Sequence, residues 1–393
     1  MMDGPRACRE SEFDEVIALI NQTFRAGIDQ DIRTDYPLVF NRSKLDYMRI
    51  LKVDGKAVSH VPVVPRLVVA NDDAFTIGII SPTVTHPDYR KRGYATLCLR
   101  DCVRIMEEEG WPVSVLWTVE ATFPFYQQTG WEAVGSQGWV YTLGSSEHEL
   151  FDSESFDVVP YDASNDRHLD TIVRIHDAEP YRIERSRTDY QALLSLPKIS
   201  TFLAEGDQGQ AAYLVFGESV NKPGLIEGGG DSKGLGALVG HLLRERVSKD
   251  VQVWAPLMPS ALGTLIEEKK PGTGRPVEEG KGAGYQMMRV NSLEKLLRQI
   301  QHHLIKRSAG LEGELCLVCE ETDECVTLGF GGGRVDLSAG RASDSIVLTR
   351  RQLTQLIFGP YSGLEPLSLS PTAGEILAQI FPYYFPIWGL DHS

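Results

Sequence analysis

The chain has 393 residues, 42% hydrophobic and 24% charged, which excludes a disordered or collagen-like polymer and predicts two or three domains with their own cores. Its 39 basic and 54 acidic residues give a formal net charge of −15, a surface that repels nucleic acid and anionic membranes and favours cationic substrates. Six cysteines without a regular framework, an acidic N-terminus with no apolar leader and no run of 18 apolar residues predict a reduced, cytoplasmic protein without signal peptide or membrane span.

A capping-box-like start at Ser11 and Asp14 precedes Phe13, Val16, Ile17, Ile20 and Phe24 at helical spacing. Strand-like runs follow at 51–53, 56–64 and 75–85, with Pro62 and Pro65 hinting at edges or bulges. A helix is expected over about 93–109, with Cys98, Leu99, Cys102, Val103 and Met106 on its apolar side and Gly110 ending it. Strand 113–118, a helical turn around 125–129 and a strand-like run over 131–143 complete the first pattern. After a polar linker at 144–155 the order restarts: helices at 167–176 and 188–196, strands at 199–204, 211–216 and 225–228, helix 235–247, strand 251–255 and helix 260–268. Beyond a Gly, Pro and Lys-rich loop at 269–284, a strand at 287–290 and an amphipathic helix at 293–305 lead into a four-strand meander and two helices. The aromatic run from Phe381 to Trp388 is too apolar to be left in solvent.

One segment carries chemistry: Thr83-Val-Thr-His-Pro-Asp-Tyr-Arg-Lys-Arg-Gly-Tyr-Ala95. A strand stops at Pro87, a turn carries Arg90, Lys91 and Arg92, and Gly93 opens a helix. The main-chain N–H groups of the turn and of Tyr94, Ala95 and Thr96 have no partners within the helix, and the positive end of the dipole lies behind them. That arrangement suits a diphosphate, and Gly93 lets it approach the main chain. The alternative is a cationic helix start with no ligand. The second feature is Phe123-Pro-Phe-Tyr-Gln-Gln-Thr-Gly-Trp131. Tyr126 either packs, as Phe125 does, or donates a proton, since a phenol stays neutral at pH 7.

Arg90-x-x-Gly93-x-Ala95 resembles the coenzyme A loop of the Gcn5-related N-acetyltransferases, the GNAT superfamily, and FYQQTGW is similar to its FYxxxGF/W string. The whole layout, with MMRVNSLEKLL and DSIVLTRRQLTQLIFG in its last third, resembles the Eis-type (enhanced intracellular survival) acetyltransferases. The fold this implies is α+β: two tandem GNAT domains with mixed central sheets (1–148, catalytic, and 149–285, degenerate) and a sterol-carrier-protein-like domain (286–393). The implied activity is transfer of acetyl from acetyl-coenzyme A, as co-substrate, to a primary amine of a cationic small molecule or peptide, with no metal. The loop from Arg90 to Thr96 would hold the diphosphate, and the main chain of Thr83, Val84 and Thr85 the pantetheine arm. The resemblance makes Tyr126 the general acid and the α-carboxylate of Ser393 the base, with His392 or Asp391 as alternatives. Asp29 and Asp391 are candidates for holding the amine; Asp29, Asp31 and Asp35 also fit a solvated loop. A homo-oligomer, a hexamer by resemblance, is implied, with neither nucleic acid nor membrane as partner. A non-catalytic coenzyme A- or lipid-binding module is the alternative.

In the second segment, Ile226-Glu-Gly-Gly-Gly-Asp-Ser-Lys-Gly234 repeats the strand–loop–helix order but sets Glu227 and Asp231 where phosphate needs cations, so that copy reads as one that has lost the coenzyme. Cys316-x-x-Cys319 and Cys325 read as structural thiols rather than a zinc site. Gly329–Arg334 reads as a hairpin turn, and His302 and His303 as solvent-facing.

Overall fold

The computed structural model describes residues 1–28, 30–136, 138–151, 156–218, 223–245, 250–278, 284–341, 345–359 and 369–392. The chain divides into two compact units, residues 1–135 with 279–383 and residues 136–278 with 384–393. Both are mixed α+β. Among the described residues no helix is long and apolar enough to cross a membrane.

The first unit begins with β1 (Met2–Ala7), α1 (Phe13–Phe24), α2 (Ile32–Asp35), β2 (Met48–Val53), β3 (Lys56–Ala70), β4 (Asp73–Ile80), β5 (Val84–Thr85), α3 (Tyr94–Glu108), β6 (Val113–Thr118), α4 (Phe123–Gln127) and β7 (Glu132–Ala133). The turn before α1 is closed by Glu12, not Ser11. Its carboxylate accepts from the Arg9 N–H at 3.0 Å and from Arg6 at 2.8 Å, and Arg6 draws its pKa down to about 2. Residues of β3 up to Pro62 pair with β2, and those from Val63 onward with β4. Proline has no N–H to donate, and Pro62 stands where the β2 ladder ends.

The second unit holds β8 (Gly138–Leu143), β9 (Phe156–Pro160), α5 (Asp166–His176), β10 (Tyr181–Ile183), α6 (Arg187–Leu194), β11 (Ile199–Gly206), β12 (Ala211–Glu218), β13 (Pro223–Gly230), α7 (Ser232–Glu245), β14 (Val251–Pro256), α8 (Ala261–Lys269) and β15 (Arg275–Pro276). The last third returns to the first unit with β16 (Tyr285–Val290), α9 (Leu293–Gln299), α10 (Gln301–Arg307), β17 (Gly313–Cys319), β18 (Cys325–Gly331), β19 (Arg334–Ala339), β20 (Ser345–Leu348), α11 (Arg350–Phe358) and α12 (Pro371–Ile380).

The two large sheets share one plan. The first runs β1-β2-β3-β4-β6-β16-β7 and the second β9-β11-β12-β13-β14-β8-β15. Each has a parallel pair, β4 with β6 or β13 with β14, bridged by a long helix, α3 or α7. The run 131–143, read from sequence as one strand, is therefore two strands in two sheets, separated at Gly135, whose φ of +78° suits glycine. The strand read at 287–290 as the start of the last third pairs in the first sheet, between β6 and β7.

Two further expectations change. The helix read over 293–305 breaks at Ile300, and the buried Asp73 carboxylate accepts the N–H groups of His302 (3.1 Å) and His303 (3.2 Å) at the restart. His303 does not face solvent: its Nε2 lies 2.8 Å from the Ile380 carbonyl and its ring packs on Tyr383 at 4.8 Å. The meander of the small sheet, β19-β18-β17-β20, ends on a parallel strand, since β20 runs parallel to β17. The Gly332–Gly333 turn between β18 and β19 has φ of +58° and +74°, as a tight hairpin needs. Cys316 and Cys319 are buried free thiols.

Candidate active site

α3 forms because Cys98, Leu99, Cys102, Val103 and Met106 make one apolar stripe. They pack against Val61 and Val63 of β3 and Leu116 of β6 in one buried cluster. The helix thereby has a fixed axis, and its N-terminus is held at the open end of the sheet.

That opening has a physical cause. β4 and β6 pair from Ile77–Val113 to Ile79–Val115 and no further. Pro82 has no N–H to continue the ladder, and Val84 and Thr85 turn away to pair with His60 and Ser59 of β3. β6 runs on through Thr118 beside β16. The two parallel strands thus splay apart between 82–85 and 116–118. Ser59 fastens one lip: its hydroxyl lies 3.0 Å from Thr85 Oγ1 and 3.2 Å from the Val84 carbonyl.

Between β5 and α3 the chain makes a short turn at Pro87–Tyr89 capped by His86, whose Nδ1 accepts from the Asp88 N–H at 3.3 Å. Lys91 (φ +60°) and Gly93 (φ +79°) then adopt left-handed conformations, which aim successive N–H groups toward one side. Leu97 makes the first helical bond, to the Gly93 carbonyl at 3.0 Å. No side chain caps the helix, so the N–H groups of Tyr94, Ala95 and Thr96 keep the dipole's positive end open. A Cβ built on Gly93 would meet nothing within 4 Å. Arg90, Lys91 and Arg92 are exposed. Arg90 Nε donates to the Thr85 carbonyl at 3.3 Å, and Arg92 donates to that of Asp88 at 3.0 Å and lies 5.1 Å from the Tyr89 ring centre.

Tyr126 stands at the split. Its ring is buried against Phe125 (4.7 Å) and Trp131 (6.4 Å), and its hydroxyl lies beside those of Thr83 and Thr118. Burial pushes its pKa above the ordinary 10, and the two threonines draw it only part of the way back. Thr83 Oγ1 is itself buried without a well-formed hydrogen bond, so a polar chain entering the split would find a waiting hydroxyl.

The fold therefore brings together Thr83, Val84, Thr85, the loop from Arg90 to Thr96, and Tyr126. Sequence reasoning missed Thr118, Thr122 and Gln128. Thr118 and Thr122 bond to each other through their hydroxyls, and Gln128 Nε2 ties α4 to α3 through Thr96 Oγ1 at 3.4 Å. Their only signal was a hydroxyl at the end of a strand and a polar position inside FYQQTGW.

Other expected residues lie elsewhere. Asp29 and Ser393 fall outside the described residues. Asp391 sits in the second unit, buried, with its carboxylate on Arg185 at 2.6 and 3.1 Å. Asp31 pairs with Arg33 at 2.8 Å, and Asp35 with Arg25. The α7 N-terminus differs from that of α3: the Asp231 carboxylate accepts from the N–H groups of Lys233 and Gly234, both at 3.0 Å. The chain itself thus fills the place where an anion would bind.

Comparison with known proteins agrees with this geometry. Residues 5–134 match the family described as acetyltransferase (GNAT) domain. No curated protein matches the chain by sequence. In fold it is similar to a GCN5-related N-acetyltransferase from Anabaena variabilis, at 16% identity over 98% of each chain with a TM-score of 0.73. It is also similar to one from Kribbella flavida, at 16% identity over 98% of this chain and 96% of that one with a TM-score of 0.69. Eis1 from Mycobacterium abscessus is similar at 11% identity over 98% of each chain, with a TM-score of 0.67. At these identities the likeness is one of fold. With the uncapped helix after the splayed strand, the match makes residues 5–134 similar to a GNAT acetyltransferase domain.

Proposed function

We propose that this protein transfers an acetyl group from acetyl-coenzyme A to a primary amine of a cationic small molecule or peptide. The observation that carries the reading is the uncapped α3 N-terminus, opening beside a split that holds Thr83 and Tyr126. Acetyl-coenzyme A supplies an activated thioester. The N–H groups from Lys91 to Thr96, with Arg90, Lys91 and Arg92, bind its diphosphate. The main chain of Thr83 to Thr85 pairs with the pantetheine arm.

The amine nitrogen forms a bond to the thioester carbonyl carbon, and the C–S bond breaks. Tyr126 holds the proton that the departing sulfur takes, and its raised pKa keeps it protonated at neutral pH. The amine's own proton passes to a base, for which the family resemblance offers the α-carboxylate of Ser393. Amine selection accords with the net charge of −15. The finer likeness, an Eis-type enzyme with a second GNAT-like copy and a sterol-carrier-like end, belongs to the same proposal. The shared plan of the two large sheets and the Asp231 cap at α7 support a degenerate copy.

The test is Tyr126→Phe, read as thiol release with polyamines, aminoglycosides and lysine peptides. Loss of a general acid lowers kcat about a hundredfold or more, with coenzyme A affinity unchanged. Unchanged turnover refutes the acid assignment. Absence of turnover in the wild type with every amine favours a module that binds the coenzyme without catalysis.

A further inference from the structure

The second unit has a split of the same kind, with a cavity of its own. β13 and β14 pair only at Gly224–Gln252 and Leu225–Val253; from there β13 stays with β12, and β14 with β8. The opening is not a second diphosphate slot, because Asp231 already takes the first N–H groups of α7. Residues 388–391 run along it. Trp388 Nε1 donates to the Trp254 carbonyl at 3.1 Å, and the Leu390 N–H donates to Glu227 Oε2 at 3.2 Å. What remains is a cavity of about 70 Å³. Its walls include two indoles, Trp254 and Trp388, and two phenols, Tyr181 and Tyr213.

The charges lining it do not cancel. The Arg185 side chain, 1% exposed, is shared by two carboxylates: Glu227 at 2.8 and 2.9 Å and Asp391 at 2.6 and 3.1 Å. Glu227 also accepts from the Tyr213 hydroxyl at 3.0 Å. Arg182 also lines the cavity, and it donates to Glu184 at 3.2 Å and to the Glu179 carbonyl at 2.9 Å. A third carboxylate, that of Glu179, lines the cavity, meets the Ala261 N–H, and has no cation within ion-pair distance among the described residues. Burial holds the Glu179 pKa above its ordinary value, with Glu227 adding to the rise, so a cation beside it would relieve both effects. Burial and then Arg185 hold the His176 pKa down, so His176 adds no positive charge at neutral pH.

We propose that this cavity is a binding site for a small ammonium or guanidinium cation. Glu179 pairs with the charge, and the indoles of Trp254 and Trp388 shield it while adding cation–π attraction. A water-sized centre needs about 10–15 Å³, so the volume suits a ligand of about five heavy atoms. The inference does not depend on the acetyltransferase reading.

The test uses the full chain labelled with 5-fluorotryptophan, its Trp254 and Trp388 resonances assigned through Trp254→Phe and Trp388→Phe. Propylammonium and methylguanidinium should shift both resonances saturably, with a Kd of about 1 mM for so few atoms. Propanol and propionate, of the same size, should not. Glu179→Gln, with an unliganded spectrum like the wild type, should weaken binding at least tenfold. An equal response to propanol, no shift at ten times the expected Kd, or unchanged affinity in Glu179→Gln overturns the proposal. The readout is binding alone, so loss of acetyl transfer in Tyr126→Phe does not bear on it.

Discussion

A single methyl group separates the structural demand on Gly93 from its role in binding. Gly93 and Gly55 have almost the same conformation, φ +79° and +82°, and a Cβ on either meets no atom within 4 Å. Alanine at either position therefore adds only the cost of an L-residue in the left-handed region, about 1–2 kcal/mol, partly offset by a stiffer unfolded chain. Both variants should lose about 1 kcal/mol in urea denaturation. Coenzyme affinity should distinguish them. At Gly93 the methyl group stands where a diphosphate must approach the N–H groups of the turn. Losing one charge-assisted hydrogen bond, about 1.5–3 kcal/mol, weakens binding about ten- to a hundredfold. Titration calorimetry with coenzyme A should show that loss in Gly93→Ala and wild-type affinity in Gly55→Ala. Equal affinities for the two variants, at equal stability, would refute the diphosphate role of the turn.

Two further predictions concern stability. His60 is fully buried; desolvation lowers its pKa from 6.5 to about 4, while Nδ1 stays 3.0 Å from the Arg49 carbonyl. The unfolded chain then binds the extra proton more readily, so this contribution is present above pH 6.5 and lost as pH falls toward 4. At 1.36 kcal/mol per pKa unit it amounts to about 3 kcal/mol. The loss of urea resistance between pH 7 and pH 5 should shrink in His60→Asn, and an unchanged pH dependence would contradict the argument. The buried Arg49–Asp101 pair, at 2.5 Å, should make Asp101→Ala cost about 3–5 kcal/mol. Arg104→Ala removes only a half-exposed partner of the same carboxylate and should cost under about 1 kcal/mol; equal losses in denaturation would show that the buried arginine is not the reason.

The parts legible in the sequence were those set by neighbours along the chain. The spacing from Arg90 to Ala95 and the stripe from Cys98 to Met106 are local, and the structure puts the loop and helix there. The Asp231 cap follows from an Asx residue preceding a helix, so the loss of anion capacity at α7 was readable too. What failed was set across distance. Asp73 breaks the helix at Ile300 from more than 200 positions away, and Tyr383 covers His303 from 80 positions away. Nothing in the run 131–143 tells that its two halves pair in different sheets. Tyr126 was found through its string, whereas the Thr83 and Thr118 hydroxyls beside it depend on where two strands part.

The placement of β16 has a consequence for biosynthesis. Until about residue 290 has left the ribosome, β6 has no strand on its outer side and β7 no strand to pair with, although every residue named for acetyl transfer from Thr83 to Tyr126 has long been made. A nascent chain of 150 residues would present an unpaired six-residue edge, an invitation to wrong partners. The first sheet thus cannot be finished before β16 is made, and expressing residues 1–148 alone should give an insoluble product that supplying residues 279–383 in trans relieves.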